Sequence, residues 1–307
     1  MGGDSLRVIV GPTAAGKSAV AMQLAERYHG TIVSADSRQV YRRFDIGTAK
    51  PSLADRARVP HAGVDVADPR ERVSAGRWAR EAVGWIAAAR AAGRVPVVVG
   101  GTGFYVRALA QPLFEEPPLD PARRAALAAE LAAYDTQSLR RWTRAVDPAR
   151  ADLGRAQLIR AIEVATLTGV PITEWYRRGA RAPGLAVRYL VLDPSPAALR
   201  DRIAARVRAM LDAGWEEETV GLLREVPADA PAWEATGYRA MRALVLGQRS
   251  RMDALPDIER ATRQYAKRQR TWFRHQLVGA DVTCIDPEAS GALERAAAWW
   301  EGESARA

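Results

Sequence analysis

The sequence predicts an α/β protein: a parallel sheet flanked by helices, interrupted by an all-α insertion. Three observations carry this. Apolar, β-branched runs alternate with helix-forming runs through the first hundred residues. A Gly-x-x-x-x-Gly-Lys-Ser loop, Gly11 to Ser18, stands between the first such strand and the first helix. From Asp120 to about Arg178 no run has strand character. Strand–helix alternation implies a parallel sheet with helices on both faces, and the loop makes that sheet P-loop NTPase-like.

The elements follow in order. Leu6–Val10 is a buried strand by its apolar, branched composition. After Ser18 a strong helix former runs to about Tyr28, then a strand over Thr31–Ser34. A helix from about Ser74 to Ala92, capped by Ser74 and stopped by Gly93, leads to a strand over Val95–Val99. Composition changes at Glu115-Glu116-Pro117-Pro118. Residues 115–185 are therefore read as a helical insertion domain, and residues 1–114 with 186–307 as the P-loop core. Strand character returns over Val187–Leu192, followed by a helix over Pro196–Ala213. The remainder reads as mostly helical, through a basic run at Ile258–Gln276 to an Ala-rich tail with Trp299-Trp300.

The Gly11–Ser18 loop is a phosphate cradle. Glycines at both ends let backbone N–H groups turn inward, and the helix start adds partial positive charge. Lys17 supplies a point charge, and the Ser18 hydroxyl can join the coordination of Mg²⁺. The cradle alone does not separate kinase, hydrolase and transferase. Guanine-specific members carry Asn-Lys-x-Asp, and this chain has no asparagine. The strand ending at Val99 runs into Gly100-Gly101-Thr102-Gly103 where an ATPase places a Mg²⁺-linked Asp. Asp193, after Leu190–Leu192, is a weak substitute, because strands commonly end in Asp-Pro turns.

In open parallel sheets ligands sit beyond the carboxyl ends of the strands. Gly11–Ser18, Asp36 and Gly100–Thr102 all follow such ends, so they are expected to converge on one crevice. Asp36, two residues past a strand, reads either as a turn aspartate capping the next helix or as a proton acceptor beside the cradle. The glycines of Gly100–Gly103 suit either a tight turn or close ligand approach.

With 307 residues and a net charge of +9, the chain favours an anionic partner, nucleic acid before membrane. A GC-rich genome would give the same arginine excess. No apolar run approaches the length of a membrane span, and the N-terminus enters the first strand with no signal peptide, so a cytoplasmic protein is expected. One cysteine and three histidines exclude a zinc site of the usual ligand count. Only three basic residues are lysine: Lys17, Lys50 and Lys267. Arginine is a planar fork and lysine a compact head, so each position is read as needing the smaller group. Arg260, Arg263, Lys267, Arg270 and Arg274 share one helical stripe, interleaved with Tyr265, Trp272 and Phe273. Such a stripe suits a nucleic-acid backbone with bases stacked nearby, or else a solvated face with aromatic anchors.

Six ordered motifs then resemble the tRNA dimethylallyltransferases, also called tRNA isopentenyltransferases, in their bacterial form. They are Gly-Pro-Thr-Ala-Ala-Gly-Lys-Ser (11–18), Ser-Ala-Asp-Ser-Arg-Gln-Val-Tyr (34–41), Asp-Ile-Gly-Thr-Ala-Lys-Pro (45–51), Val-Gly-Gly-Thr-Gly-Phe-Tyr (99–105), Thr-Gly-Tyr-Arg (236–239) and Ala-Lys-Arg-Gln-Arg-Thr-Trp-Phe-Arg (266–274). The resemblance implies transfer of a dimethylallyl group from dimethylallyl diphosphate to N6 of the adenosine 3′-adjacent to a tRNA anticodon. Diphosphate is then the leaving group, which explains a phosphate cradle outside kinase chemistry.

By that resemblance Asp36 is the general base, with Thr102 and Lys17 the other catalytic residues. Gly11, Thr13, Ala14, Ala15, Gly16, Lys17, Ser18 and a lid-like Arg206 hold the diphosphate, and Ser18 is the Mg²⁺ ligand. The tRNA contacts implied are Asp36, Ser37, Arg38, Gln39, Arg124, Gln157, Arg160, Gly237, Tyr238, Arg239, Lys267, Arg268, Arg270, Thr271, Trp272 and Arg274. The expected partners are a tRNA anticodon stem-loop and dimethylallyl diphosphate, with no membrane and a monomeric chain. The sequence departs from the family where Gln157 replaces a usual arginine and Arg42-Arg43-Phe44 replaces Lys-Gly-Met. Three other readings are open: an adenylate isopentenyltransferase acting on free nucleotide, a small-molecule kinase using ATP in the same cradle, and a non-catalytic RNA-binding protein that retains a P-loop.

Overall fold

The computed structural model describes residues 5–111, 119–179, 184–277 and 281–302. The chain runs β1 (Leu6–Val10), α1 (Lys17–Arg27), β2 (Gly30–Ser34), α2 (Leu53–Arg58), β3 (His61–Ala62), α3 (Ala75–Ala91), β4 (Val95–Gly100) and α4 (Gly103–Ala110). Four helices follow, α5 (Pro121–Ala132), α6 (Thr136–Val146), α7 (Arg155–Thr168) and α8 (Ile172–Gly179). The chain returns through β5 (Val187–Leu192), α9 (Pro196–Asp212), α10 (Trp215–Glu225), α11 (Tyr238–Val245), α12 (Arg251–Gln276), β6 (Asp281–Ile285) and α13 (Ala292–Glu301). It divides into two compact units, 1–110 with 185–307, and 111–184.

The first unit is built on one six-stranded sheet, ordered β3-β2-β4-β1-β5-β6, with every pairing parallel. Its inner strands β2, β4, β1 and β5 are mostly apolar because both faces are covered. Successive side chains alternate between those faces. Val8, Val10, Val33 and Val98 join one core with Trp78, Tyr105, Tyr238 and Phe273. Ile9, Ile32, Val97, Val99 and Leu190 join the other with Leu24, Trp299 and Trp300. The Ala-rich tail is thus a docked helix whose two tryptophans close the back of the sheet against α1.

Two strands depart from the sequence reading. Residues 281–285, expected to be part of a mostly helical remainder, form β6. They pair along β5 from Arg188↔Asp281 to Leu192↔Ile285. Residues 61–62 form β3 on the other edge. Both are edge strands and short, and a two-residue edge leaves no alternation to detect. The long helix α12 also begins earlier than the basic run, at Arg251, and carries Pro256 inside its early turns.

The second unit is helical throughout its described residues. Leu127, Leu131, Leu139, Leu158 and Ile162 form its core, and Asp120 and Asp135 cap α5 and α6 through the N–H groups of Arg123 and Ser138. Among the described residues, no helix is long and apolar enough to cross a membrane.

Candidate active site

Register brings three loops to one edge of the sheet. Val10 lies opposite both Gly100 and Val191, and Ser34 lies opposite Val99. The loops that leave β1, β2 and β4 therefore start at the same level. They line a cavity of about 550 Å³ that includes Lys17, Ser18, Asp36, Gly101, Arg206, Tyr265 and Gln269.

The cradle is tightly fitted. A Cβ on Gly11 would stand 2.4 Å from the carbonyl oxygen of Leu192, so only glycine lets β1 turn beside β5. Gly16 caps α1 with φ 90°, and Ala14 takes φ 62°, backbone states that fold the loop back on itself. The Lys17 ammonium donates to the carbonyls of Gly11 (3.0 Å) and Pro12 (2.8 Å), which keeps it at the mouth of its own loop. Burial pulls the Lys17 pKa down to about 8; Asp36 opposes the shift and Arg206 adds to it. Burial likewise lowers Arg206, with Asp36 opposing. Lys17, Arg206 and Asp36 thus form one electrostatic group, two cations and one carboxylate. Ser18 opens α1 and is exposed toward the cavity, with Ala15 buried beneath the loop.

Asp36 is half-buried, lines the cavity, and accepts the Arg38 N–H through Oδ1 at 2.8 Å; it closes a turn and caps no helix, since the next one begins at Leu53. Its position is fixed by the neighbouring loop. Thr102 Oγ1 accepts the Ser37 N–H at 2.9 Å, and the Thr102 N–H donates to Ala35 at 3.1 Å. A Cβ on Gly100 would lie 2.2 Å from the Ala35 carbonyl oxygen. The glycines of this loop thus serve the close approach of β4 to β2.

Gln39 faces inward. It accepts from the Ser34 hydroxyl (3.0 Å) and donates to the carbonyls of Thr48 (3.3 Å) and Ala49 (3.0 Å). Its amide therefore anchors the Asp45–Pro51 segment. Lys50 does the same from the other side. Its side chain is 2% exposed and meets the Tyr41 carbonyl, Asp45 (2.6 Å) and Asp65 (2.5 Å). Glu218 completes the hold by accepting the N–H groups of Asp45 (2.9 Å) and Ile46 (2.7 Å). Tyr238 is fully buried, its hydroxyl donating to Glu218 and accepting from the Gly47 N–H at 3.1 Å. Gly237 takes φ 95° where a Cβ would stand 2.5 Å from the Trp215 ring. So Gly237 and Tyr238 sit inside the fold as supports of this segment, and Arg239 is the exposed member of its motif, paired with Glu234. Burial raises the Tyr238 pKa strongly and Glu218 adds to it, which keeps the hydroxyl a donor.

The helix α12 presents its basic stripe unevenly. Arg260, Arg263, Lys267 and Arg274 are exposed, with Arg260 paired to Asp257 (2.7 Å) and Arg263 to Glu259 (3.2 Å). Arg270 is turned inward. Its Nε lies 2.6 Å from Asp193 Oδ1 and its Nη2 3.1 Å from Oδ2. Asp193, the weak acid candidate of the sequence, is accordingly engaged by Arg270, with Arg274 at 3.6 Å. Thr271 and Arg268 are exposed, the latter over the Tyr265 ring at 5.8 Å. Trp272 is half-buried against Gly103, where a Cβ would come within 2.4 Å of the indole.

Arg124, Gln157 and Arg160 belong to the second unit. Arg124 (3.3 Å) and Arg160 (3.1 Å) share the buried Glu163 carboxylate, and Gln157 accepts the Gly154 N–H at 3.2 Å, capping α7.

Two site residues escaped the sequence reading. Gln269 is buried in the cavity wall and bonds two loops at once, accepting the Thr13 N–H (2.8 Å) and donating to the Gly101 carbonyl (2.9 Å). Tyr265, one turn earlier, faces the same cavity; burial and the Asp36 charge push its phenol up to about 12. Their signal was a polar and an aromatic residue on the apolar face of a basic helix, legible only once that face was known.

A parallel sheet whose first strand runs into a Gly-x-x-x-x-Gly-Lys-Ser loop, with a carboxylate just beyond the second, defines a P-loop-like α/β fold. Residues 39–276 match the model of the family "IPP transferase", and residues 4–59 that of "Isopentenyl transferase". The chain is 48% identical to a tRNA dimethylallyltransferase of Halorhodospira halophila over 91% of this chain and 92% of the relative. Identity is 43% to one of Stenotrophomonas maltophilia, over 91% of each. The crystal structure of the full-length tRNA isopentenylpyrophosphate transferase of Bacillus halodurans superposes with a TM-score of 0.70 at 33% identity, covering 98% of this chain and 96% of that one. A eukaryotic dimethylallyltransferase solved acting on tRNA shares the fold, with a TM-score of 0.82 at 24% identity. The chain belongs to the IPP transferase family, as an enzyme of the tRNA dimethylallyltransferase class.

Proposed function

We propose that this enzyme transfers the dimethylallyl group of dimethylallyl diphosphate to N6 of the adenosine 3′-adjacent to a tRNA anticodon. The observation that carries the reading is the shared cavity: Lys17, Ser18, Arg206 and Asp36 all line it. An adenine amino group is barely basic, so its attack on an allylic carbon is favoured by loss of a proton. Asp36 is assigned to accept that proton as the N6–C bond forms and the allylic C–O bond breaks. The bond electrons leave with the diphosphate, whose growing charge Lys17, Arg206 and the inward N–H groups of Gly16 to Ser18 stabilise.

The donor set fits Mg²⁺. This ion keeps most of its waters and takes one or two protein oxygens beside substrate phosphates. The Ser18 hydroxyl, exposed toward the cavity at the start of α1, would hold it. When bound, the ion supplies charge neutralisation of the diphosphate. Among the described residues, no cluster of three or more His, Cys, Asp or Glu competes for it.

The tRNA is assigned to the exposed cations of α12, Lys267 and Arg268 foremost, and to Arg38 and Arg239. In the second unit, Arg124 and Arg160 are assigned to the same partner. Incubation with labelled dimethylallyl diphosphate and unmodified tRNA is expected to put label on tRNA and release diphosphate. Label on AMP and none on tRNA would replace this reading with the free-nucleotide transferase; ATP turnover with no prenyl transfer would replace it with the kinase.

A further inference from the structure

Gln269 stands apart from the basic and aromatic residues around it. It is a neutral amide, buried on a helix whose mean composition is polar, and both functional ends of that amide are used. Its oxygen takes the Thr13 N–H, so this N–H is committed to α12. Its nitrogen holds the Gly101 carbonyl. From there the connection is continuous: Thr102 donates through its N–H to Ala35 and accepts the Ser37 N–H, and Ser37 adjoins Asp36. Gly101 is shaped around the contact, since a Cβ there would lie 2.2 Å from Gln269 Nε2. One side chain thus ties the leaving-group loop to the loop that positions the base. It does so from the helix whose opposite face carries Lys267 and Arg268.

We infer that Gln269 is a positioning residue that sets the spacing between the diphosphate loop and the Asp36 carboxylate. This deepens the reading given above and rests on it for the identity of the base. The side chain touches neither reacting atom; it acts by holding Thr13 and Gly101 at fixed separation. Misplacement of a reacting pair by about 1 Å costs on the order of 10²-fold in rate, so a loss in kcat is expected with little change in how tRNA is bound.

The test uses the full chain. Gln269→Leu keeps the volume and removes both hydrogen bonds. It is expected to lower kcat by about 10–100-fold and weaken inorganic diphosphate, titrated with MgCl₂, by about tenfold. The KM for tRNA should stay within about twofold. Gly101→Ala is expected to reproduce this pattern by displacing the amide.

Gln269→Glu supplies a readout that a purely structural role would not move. As a carboxylate it still accepts the Thr13 N–H but repels the Gly101 carbonyl; protonated, it donates to that carbonyl again. Burial raises its pKa, so the ratio of wild-type to Q269E turnover should narrow as pH falls from about 8 to about 6. The other titratable groups lining the cavity, Lys17, Asp36, Lys50, Asp55, Arg58, His61, Arg206 and Tyr265, are common to both proteins, so the ratio removes the pH dependence they share. Trp299→Leu, on the far side of the sheet, controls for lost stability. The inference is overturned if Q269L keeps wild-type kcat and diphosphate affinity, if W299L reproduces its pattern at equal loss of Tm, or if the Q269E ratio is flat with pH. The diphosphate titration does not depend on the acceptor, so it tests Gln269 even if prenyl transfer to tRNA fails.

Discussion

At the scale of single residues, Asp36 and Lys17 make opposite demands on the fold. Asp36 is coupled to two cations, Lys17 and Arg206, and among the described residues its side chain's one backbone bond is its turn with Arg38. Replacing it with alanine is expected to lower turnover by about 10²–10⁴-fold. Diphosphate and tRNA affinities should stay near wild type. Equilibrium titrations beside single-turnover assays check this, and near-normal turnover would remove Asp36 as the base. Lys17 is the reverse case. Its charge is buried, and the cost appears as a pKa lowered to about 8 from 10.5. Between those two values the unfolded state binds more protons, so this group adds stability as pH rises through the window and loses it as pH falls to about 8. Lys17→Met is therefore expected to raise Tm of the free protein at neutral pH by about 2–4 °C, while diphosphate binding is lost. A calorimetric scan with and without diphosphate separates the two effects.

At the scale of elements, the segment Asp45–Pro51 is braced by side chains from several parts of the core. Gln39, Glu218 and Tyr238 hold its backbone, and its own Lys50 ties it to Tyr41 and Asp65. The sequence marked Lys50 as a place arginine does not suit, and the structure gives the reason: a compact ammonium satisfies a carbonyl and two carboxylates in a closed space. It left Glu218 unmarked, because that residue is one of three successive glutamates opening α10 and only the packing of α10 on this segment distinguishes it. Gly47 sits where a Cβ would come 2.2 Å from the buried Trp215 indole. Gly47→Ala is expected to cost about 1–3 kcal/mol by forcing that ring aside. Urea titration should show a lower midpoint at unchanged m.

At the scale of the whole molecule, the net charge of +9 predicts salt-sensitive binding of a polyanion. The cations do not contribute alike. Lys267 is exposed, so Lys267→Ala should reduce the slope of log K against log salt for tRNA by about one. Arg270 is committed to Asp193 at 2.6 Å. Arg270→Ala is expected to cost about 1–3 kcal/mol of stability by leaving that partly buried carboxylate with only the more distant Arg274, with a smaller change in salt slope than Lys267→Ala. Filter binding across a salt series, beside thermal melts of both variants, checks the assignment.

Local chemistry made the architecture legible. Apolar branched runs, glycines at turns and a capping serine specify β1, β2, β4, β5 and the helices α1, α3 and α9, because each signal acts within a few residues. The cradle was legible for the same reason, since its loop, lysine and serine are contiguous. The register that levels Val10, Ser34 and Gly100 was decided only in three dimensions, as were the edge strands β3 and β6. So were the Arg270–Asp193 pair and the amide of Gln269, which joins two loops 168 and 256 residues away in the chain. Partners so distant leave no periodicity in the sequence, and a side chain's role there depends on which face of its helix the packed sheet receives.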